Sequence, residues 1–572
     1  MFDQEVERYL CDVLVIGSGA AGCRAAIAAS EAAAQVCLIT KGPLGRSGTT
    51  NLGGVVYAAA LGHADPSDSV YHHMRDTVVE GRYLGDQRMA MLMAERAPRS
   101  VYDLERYGLN WYKKGGRFYQ LPTPGHSRDR GVHYNQKTGQ MVQRALVREL
   151  LRPSRVNVML LEDFLVASLI RDREGPVVGV SGVNLRTGRL GQVDAGAVII
   201  ATGGCGAMCR VTDMDTGATG DGMALALRAG AELIAPEMHQ FFPTAFVHPE
   251  SLRGLALATS ALWKYGLRLY NANGERFMER YYPREKENVP RDLLSRAIYQ
   301  EIAEGRGTEH GGVYLDTSQV AGWEEVKKHR ARSYVMPQRL GIDTDRVEVA
   351  PTYHFTIGGI RVNLDTSTSV PGLFACGEAA GGLHGANRIG GNALAECVVF
   401  GEIAGEVAAG WARGNGGKAP DAVSELRRSI GAWTAGPGEG VRPIKLVRSL
   451  QDLFWRRMGI VRDHQGLSSG LQELDELGEL AGRVRLAATE RVFNLELVDA
   501  IQLQNMLELA RAFFRGALER TESRGCHFRA DCPRPDNPNW LRNIVCRKKG
   551  NQIEMETVPV EFPHVAPEEV EG

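Results

Sequence analysis

The chain has 572 residues, 44% of them hydrophobic, and carries 67 basic against 68 acidic side chains. That length implies about three or four domains at roughly 150 residues each, and the even charge balance excludes an electrostatic footprint for nucleic acid or an anionic membrane. The opening MFDQEVERYLCDV lacks a signal peptide or twin-arginine pair, no apolar run reaches the ~18–20 residues of a membrane span, and the ten cysteines show no zinc or iron–sulfur spacing, so a soluble, reducing, intracellular protein is expected.

Residues 11–41 read as strand, Gly-rich turn, helix and strand: CDVLVI is apolar and partly β-branched, RAAIAASEAAA is rich in helix formers, and QVCLIT returns to strand character. Parallel strands around one helix make a βαβ unit. The turn GSGAAG places Gly17, Gly19 and Gly22 where a dinucleotide needs them: a tight turn, close backbone approach to the pyrophosphate, and close helix–strand packing. Ala20 and Ala21 then open the helix whose N-terminus faces the phosphates. The second strand ends in Thr40 and Lys41 where a ribose-binding acid is usual, which speaks against a plain NAD site.

A second Gly-rich strand end follows at AVIIATGGCG, giving Ala201, Thr202 and Gly203, with Thr219-Gly220-Asp221-Gly222 beyond it and Gly377-Glu378 later. Nucleotide signals at both the start and near residue 375 imply that the stretch between them is inserted into one dinucleotide-binding domain. A ligand pocket between insert and parent follows from the preference of ligands for domain interfaces. The boundaries are residues 1–236 and 353–414 for the two parts of the dinucleotide-binding domain and 237–352 for the inserted domain. A helical domain spans 415–530, rich in Leu, Glu, Arg and Ala at helical spacing, and a small C-terminal region 531–572. The fold class is α/β: a Rossmann-type dinucleotide-binding domain with an inserted α+β domain, then helices.

Four longer segments are more specific: NGERFMERYYPREKENVPRDLLSRA (273–297), HFTIGG (354–359), HGANRIGGNALAE (384–396), and ESRGCHFRADCP (522–533) with NWLRN after it. On these the chain resembles the flavoprotein subunits of succinate dehydrogenase and fumarate reductase, with the L-aspartate oxidases as relatives, over nearly its whole length. The resemblance implies FAD, a cap closing over substrate, and an active site between the two. It further implies that Arg291 moves the proton opposite the flavin, and that His354, Arg388 and Thr259 grip substrate carboxylates, as a guanidinium fork and a directional donor suit. For the cofactor it implicates Ser47, Gly48, Thr49, Gly53, Gly54, Glu378, Arg388, Ala393 and Leu394 besides the glycines above.

Three departures stand out. Arg46-Ser47-Gly48-Thr49 lacks the histidine to which the family often tethers its flavin, so FAD is expected to be noncovalent, which goes with reduction more than with succinate oxidation. Phe242 replaces the substrate-contacting histidine of the family's Gln-Phe-His-Pro-Thr, and His239, three residues earlier on a strand, belongs to the opposite face. Ser260 and Trp263 stand where the family keeps a proton-relaying Glu and Arg, with Lys264 nearby. The pocket is therefore expected to be more aromatic and less acidic on the cap side, for a substrate bulkier or less charged than fumarate.

The expected activity is hydride exchange between flavin N5 and a carbon–carbon bond next to a carboxylate, in a complex whose iron–sulfur clusters lie on a partner. The expected location is the cytoplasm, with peripheral attachment to the cytoplasmic membrane through partners as an alternative. L-aspartate oxidase and a non-catalytic electron-relay flavoprotein are the competing readings.

Overall fold

The computed structural model describes residues 6–567 apart from 136, 174, 258, 260–262, 264, 265, 324–335, 340, 416–418, 435–439 and 551. The expectations at Ser260 and Lys264 lie outside the described residues.

The central sheet contains β1 (Glu7–Ile16), β2 (Val36–Thr40), β3 (Val158–Glu162), β4 (Phe164–Arg171), β5 (Val177–Asn184) and β6 (Leu190–Ile200), in the order β3-β2-β1-β6-β5-β4. Its β3, β2, β1 and β6 are mutually parallel, whereas β4, β5 and β6 form an antiparallel meander. The parallel strands are covered on both faces, which is why β2 is wholly apolar apart from its last residue. Helix α1 (Ala20–Glu31) is buried along all but its final residue.

The intervening segment makes a second, antiparallel sheet from β7 (His239–Phe246), β8 (Arg268–Tyr270), β9 (Val313–Asp316) and β10 (Arg346–Thr356), ordered β7-β10-β9-β8. Helix α2 (Arg291–Ala303) packs on β7 and β10 over a separate apolar cluster that includes Phe246, Leu269, Phe277, Ile298 and Val313. Strand β11 (Leu373–Ala375) then returns to the first sheet and pairs parallel with β6. The chain thus leaves the dinucleotide-type sheet, builds an α+β unit and comes back.

Helix α3 (Asn392–Ala412) lies on α1. A Cβ on Gly405 would sit 2.2 Å from the Ala25 carbonyl oxygen and one on Gly401 2.6 Å from that of Ala21, so only these small residues allow the approach. Helices α4 (Pro443–Arg457), α5 (His464–Ala481) and α6 (Leu495–Glu519) pack together and contribute to the largest apolar cluster. Strands β12 (Arg542–Lys549) and β13 (Gln552–Pro559) form a hairpin whose inner strand pairs with Leu233–Ile234. The tail is thereby woven into a five-stranded sheet with the parent domain. No described helix is long and apolar enough to cross a membrane.

Candidate active site

One cavity of about 710 Å³ runs from the end of β1 to the junction with the inserted unit. At its inner end Gly17 adopts φ +105°, and a Cβ there would lie 2.3 Å from the Ala201 carbonyl oxygen, so the turn demands glycine. Gly22 does not line the cavity; a Cβ on it would overlap the Gly17 carbonyl, which is the helix–strand packing expected of the third glycine. Gly19 begins α1 in an extended conformation with no side-chain cap. The exposed amides at that helix end favour an anion. Gly19, Ala20 and Ala21 line the cavity, and Thr50 accepts from the Ala20 amide at 3.1 Å.

Thr40, Lys41, Ser47, Gly48, Thr49, Gly53 and Gly54 form one wall, and Ala201, Thr202, Gly203 and Asp221 another. Lys41 Nζ donates to Asp221 at 2.7 Å, and Asn505 Nδ2 to its other oxygen at 2.9 Å. Burial would raise the Asp221 pKa, but the Lys41 charge and these bonds hold it below the usual carboxylate range. Gln502, on α6, also bonds Asp221 and lines the cavity. Glu378 and, from the start of α3, Ala393 and Leu394 close the middle of the cavity. Burial lifts the Glu378 carboxyl to about 8, even though its Oε1 accepts the Thr356 amide at 2.9 Å. It is therefore largely protonated at neutral pH and can donate. The cavity's shape fits a dinucleotide: a glycine-lined helix N-terminus at one end, an acid–lysine pair beside it, and a second helix N-terminus beyond.

The outer end is cationic. Arg291, the first residue of α2, projects from the inserted unit, and Arg388 comes from the turn before α3. Arg291 Nη1 and Arg388 Nε are buried and have no hydrogen-bond partner. Arg388 is only 7% exposed; burial first, and repulsion by Arg291 second, push its pKa down to about 9. Burial likewise lowers Arg291. The two guanidinium groups thus face one space and repel each other across it.

His354, on β10, holds Asp213 through Nδ1 at 2.7 Å, leaving Nε2 unengaged by that bond. Burial lowers its pKa, with Asp213 acting the other way. Phe242 ties the group together, its ring 5.3 Å from the Arg291 guanidinium and 5.1 Å from the His354 ring. The expected separation of the two faces of β7 is observed: Phe242 lines the cavity, whereas His239 bonds the Tyr353 hydroxyl at 2.8 Å and packs on Phe454 and Phe513.

Of the sequence-derived candidates, Thr259 is not brought to the cavity wall. It is buried and shares a 2.9 Å hydroxyl contact with Thr244. Trp263 packs partly buried against the apolar cluster of the inserted unit. Three contributors escaped the sequence reading: Asp213, which orients His354; Asp215, which accepts the Gly48 amide at 3.1 Å; and Gln502. None sits in a local motif, and each becomes visible only through a contact more than a hundred residues away in sequence.

The FAD binding domain family matches residues 12–394, and the fumarate reductase flavoprotein C-terminal family matches 447–571. One subunit of the fumarate reductase (CoM/CoB) of Methanothermobacter marburgensis is 38% identical, covering 95% of this chain and 98% of its own. The chain belongs to the fumarate reductase/succinate dehydrogenase flavoprotein family. Its fold matches an E. coli quinol fumarate reductase chain with a TM-score of 0.91 at 30% identity, covering 98% and 99% of the two chains. Sdh1 of Mycobacterium smegmatis, in complex with UQ1, gives 0.89 at 36%, covering 97% and 95%. An L-aspartate oxidase of Streptomyces coelicolor is 34% identical over 94% of this chain and 91% of its own, so length of match does not separate the two activities. Membership makes the chain an FAD-dependent oxidoreductase acting on CH–CH bonds.

Proposed function

We propose that this chain is the catalytic flavoprotein subunit of a complex that reduces a carbon–carbon double bond beside a carboxylate. The observation that carries the reading is the pair of buried guanidinium groups, Arg291 and Arg388, which both line the cavity and each keep a buried nitrogen without a partner. Buried cations without counter-ions are costly, and a bound carboxylate offsets that cost with charge-assisted bonds. Bound FAD supplies the hydride. Arg388 forks onto the carboxylate, His354 adds a donor once protonated, and Arg291 delivers the proton to the carbon next to the one reduced. Thr259, occupied with Thr244, would have to turn away from that hydroxyl to reach a ligand, so it contributes less to the grip. FAD is held without a covalent link, since Gly48 stands where a tethering histidine would; Glu378, protonated, donates to the cofactor. Phe242, apolar and tilted against the His354 ring, favours a substituted dicarboxylate or an unsaturated monocarboxylate over fumarate itself. An iron–sulfur partner feeds electrons; several relatives are named as subunits.

The test is anaerobic photoreduction of the purified flavoprotein, followed by fumarate, substituted fumarates, cinnamate-type acids or iminoaspartate. Rapid reoxidation by an unsaturated acid is the expected result. Reoxidation by iminoaspartate alone establishes the L-aspartate oxidase reading, which the Streptomyces relative supports. No reoxidation, and no change in the flavin spectrum with any carboxylate, establishes an electron-relay role.

A further inference from the structure

If Arg291 gives up its proton, something must return one to a guanidine buried in the protein. The acid in the cavity nearest to hand, Asp213, is engaged by His354. Behind the arginines lies a second carboxylate on the parent domain. Glu80 ends the helix Val70–Glu80, and its Oε1 accepts from Asn387 Nδ2 at 2.7 Å. Asn387 precedes Arg388, and the same Nδ2 lies 3.4 Å from Asp292, the neighbour of Arg291. Its carbonyl oxygen accepts from Gln240 at 2.7 Å, which fixes the amide's orientation. No described residue bonds Glu80 Oε2.

The Ile389–Gly390 turn lies beside both Glu80 and Arg291, whose charges act on each other. A Cβ on Gly125 would be 2.9 Å from Ile389 Cγ1 and 3.4 Å from the Glu80 carboxyl carbon. A Cβ on Gly390 would be 3.3 Å from Arg291 Nη2. The acid and the arginine thus flank one turn, and Glu80 is only half-buried, so its other side reaches solvent. On the cap side, Trp263 offers nothing that can carry a proton.

We infer that Glu80 is the acid that recharges Arg291, so that protons enter this site from the FAD-binding domain. The inference rests on the proposed reduction. In it the Arg291 N–H bond breaks as the new C–H bond forms, next to the carbon that has received the hydride. The Glu80 O–H bond then breaks to restore the guanidinium, and the carboxylate takes a proton from water. Burial and the nearby Asp292 and Asp76 raise the Glu80 pKa, while Arg82 and Arg291 oppose them; the Cys526 thiol is a further titratable neighbour. A carboxyl so raised keeps its proton closer to neutrality, as a donor requires.

The experiment compares wild type, Glu80→Gln and Glu80→Asp as FAD-loaded protein, using the unsaturated acid that reoxidises wild type fastest. Steady-state turnover with a reduced viologen dye as electron donor, which needs Arg291 recharged in every cycle, is measured against pH, and malonate affinity is read from the flavin spectrum. Glu80→Gln is expected to keep its FAD and its malonate affinity but to lose roughly 10²-fold or more in rate. The wild-type rate should fall as pH rises through the Glu80 pKa; the Gln variant should lose that limb, and the Asp variant should recover part of both rate and limb. A Gln variant with wild-type rate and profile overturns the proposal, and so does a rate loss matched by lost malonate affinity. A wild type that no unsaturated acid reoxidises defeats the reduction reading itself.

Discussion

Replacing Arg388 with Met should make the substrate-free enzyme more stable while removing its grip on carboxylates. The guanidinium is pushed from its much higher ordinary value down to about 9, chiefly by burial and next by Arg291. At about 1.4 kcal/mol per tenfold change, that fall amounts to roughly 5 kcal/mol against the charged form. The sign follows from linkage: the unfolded chain keeps this proton up to the ordinary guanidinium pKa, while the fold sheds it above about 9. The cost is therefore complete at pH 7 and shrinks only as pH climbs beyond about 9. Relaxation reduces what is recovered, and buried charges replaced by apolar side chains return about 1–4 kcal/mol. Thermal unfolding of FAD-loaded protein, followed by release of flavin fluorescence, reads the effect. Arg388→Met should melt above wild type without ligand. Malonate at 100 times its Kd should stabilise wild type by about 2.7 kcal/mol and leave the variant where it was. A variant that melts lower and is still stabilised by malonate would refute the reasoning.

Three other outcomes are expected. Arg291→Ala should keep FAD and lose about 10²–10⁴-fold in reoxidation rate; unchanged turnover removes Arg291 from its role. His354 is neutral at pH 7 because its pKa is lowered, so carboxylate binding should draw a proton onto it. Malonate affinity should fall as pH rises through the lowered pKa, and calorimetry in two buffers of different ionisation enthalpy should show proton uptake that His354→Gln abolishes. Acid precipitation should release all the flavin into the supernatant; colour left in the pellet would mean a covalent link that Gly48 cannot provide.

The βαβ turn was legible because its glycine spacing is a local pattern, even though only Gly22 answers a near neighbour, Gly17, while Gly17 itself is constrained by Ala201 across the sheet and Gly19 faces Thr50. The arginines and His354 were legible because they lie inside long distinctive segments, and all three do meet at one cavity with Phe242. What could not be read was set by long-range pairing. Asp213 lies in an ordinary stretch and acquires meaning only opposite His354, 141 residues on. Strands β4 to β6 form a meander that strand periodicity alone does not distinguish from further βαβ units. The β12 strand joins the parent domain through Leu233 and Ile234, a two-residue strand of the five-stranded sheet too short to leave a pattern. Thr259 went the other way: its hydroxyl found Thr244 and not the cavity.

The central claim is that Arg291, from the inserted unit, and Arg388, from the flavin domain, close on one acid group over the ring. A structure of the FAD-loaded protein with malonate bound tests it most directly. The expected result is carboxylate oxygens at about 2.7–2.9 Å from both guanidinium groups, with the ligand's central carbon against the flavin. Malonate bound elsewhere, or an Arg291 side chain turned out of the cavity while ligand is present, would contradict it.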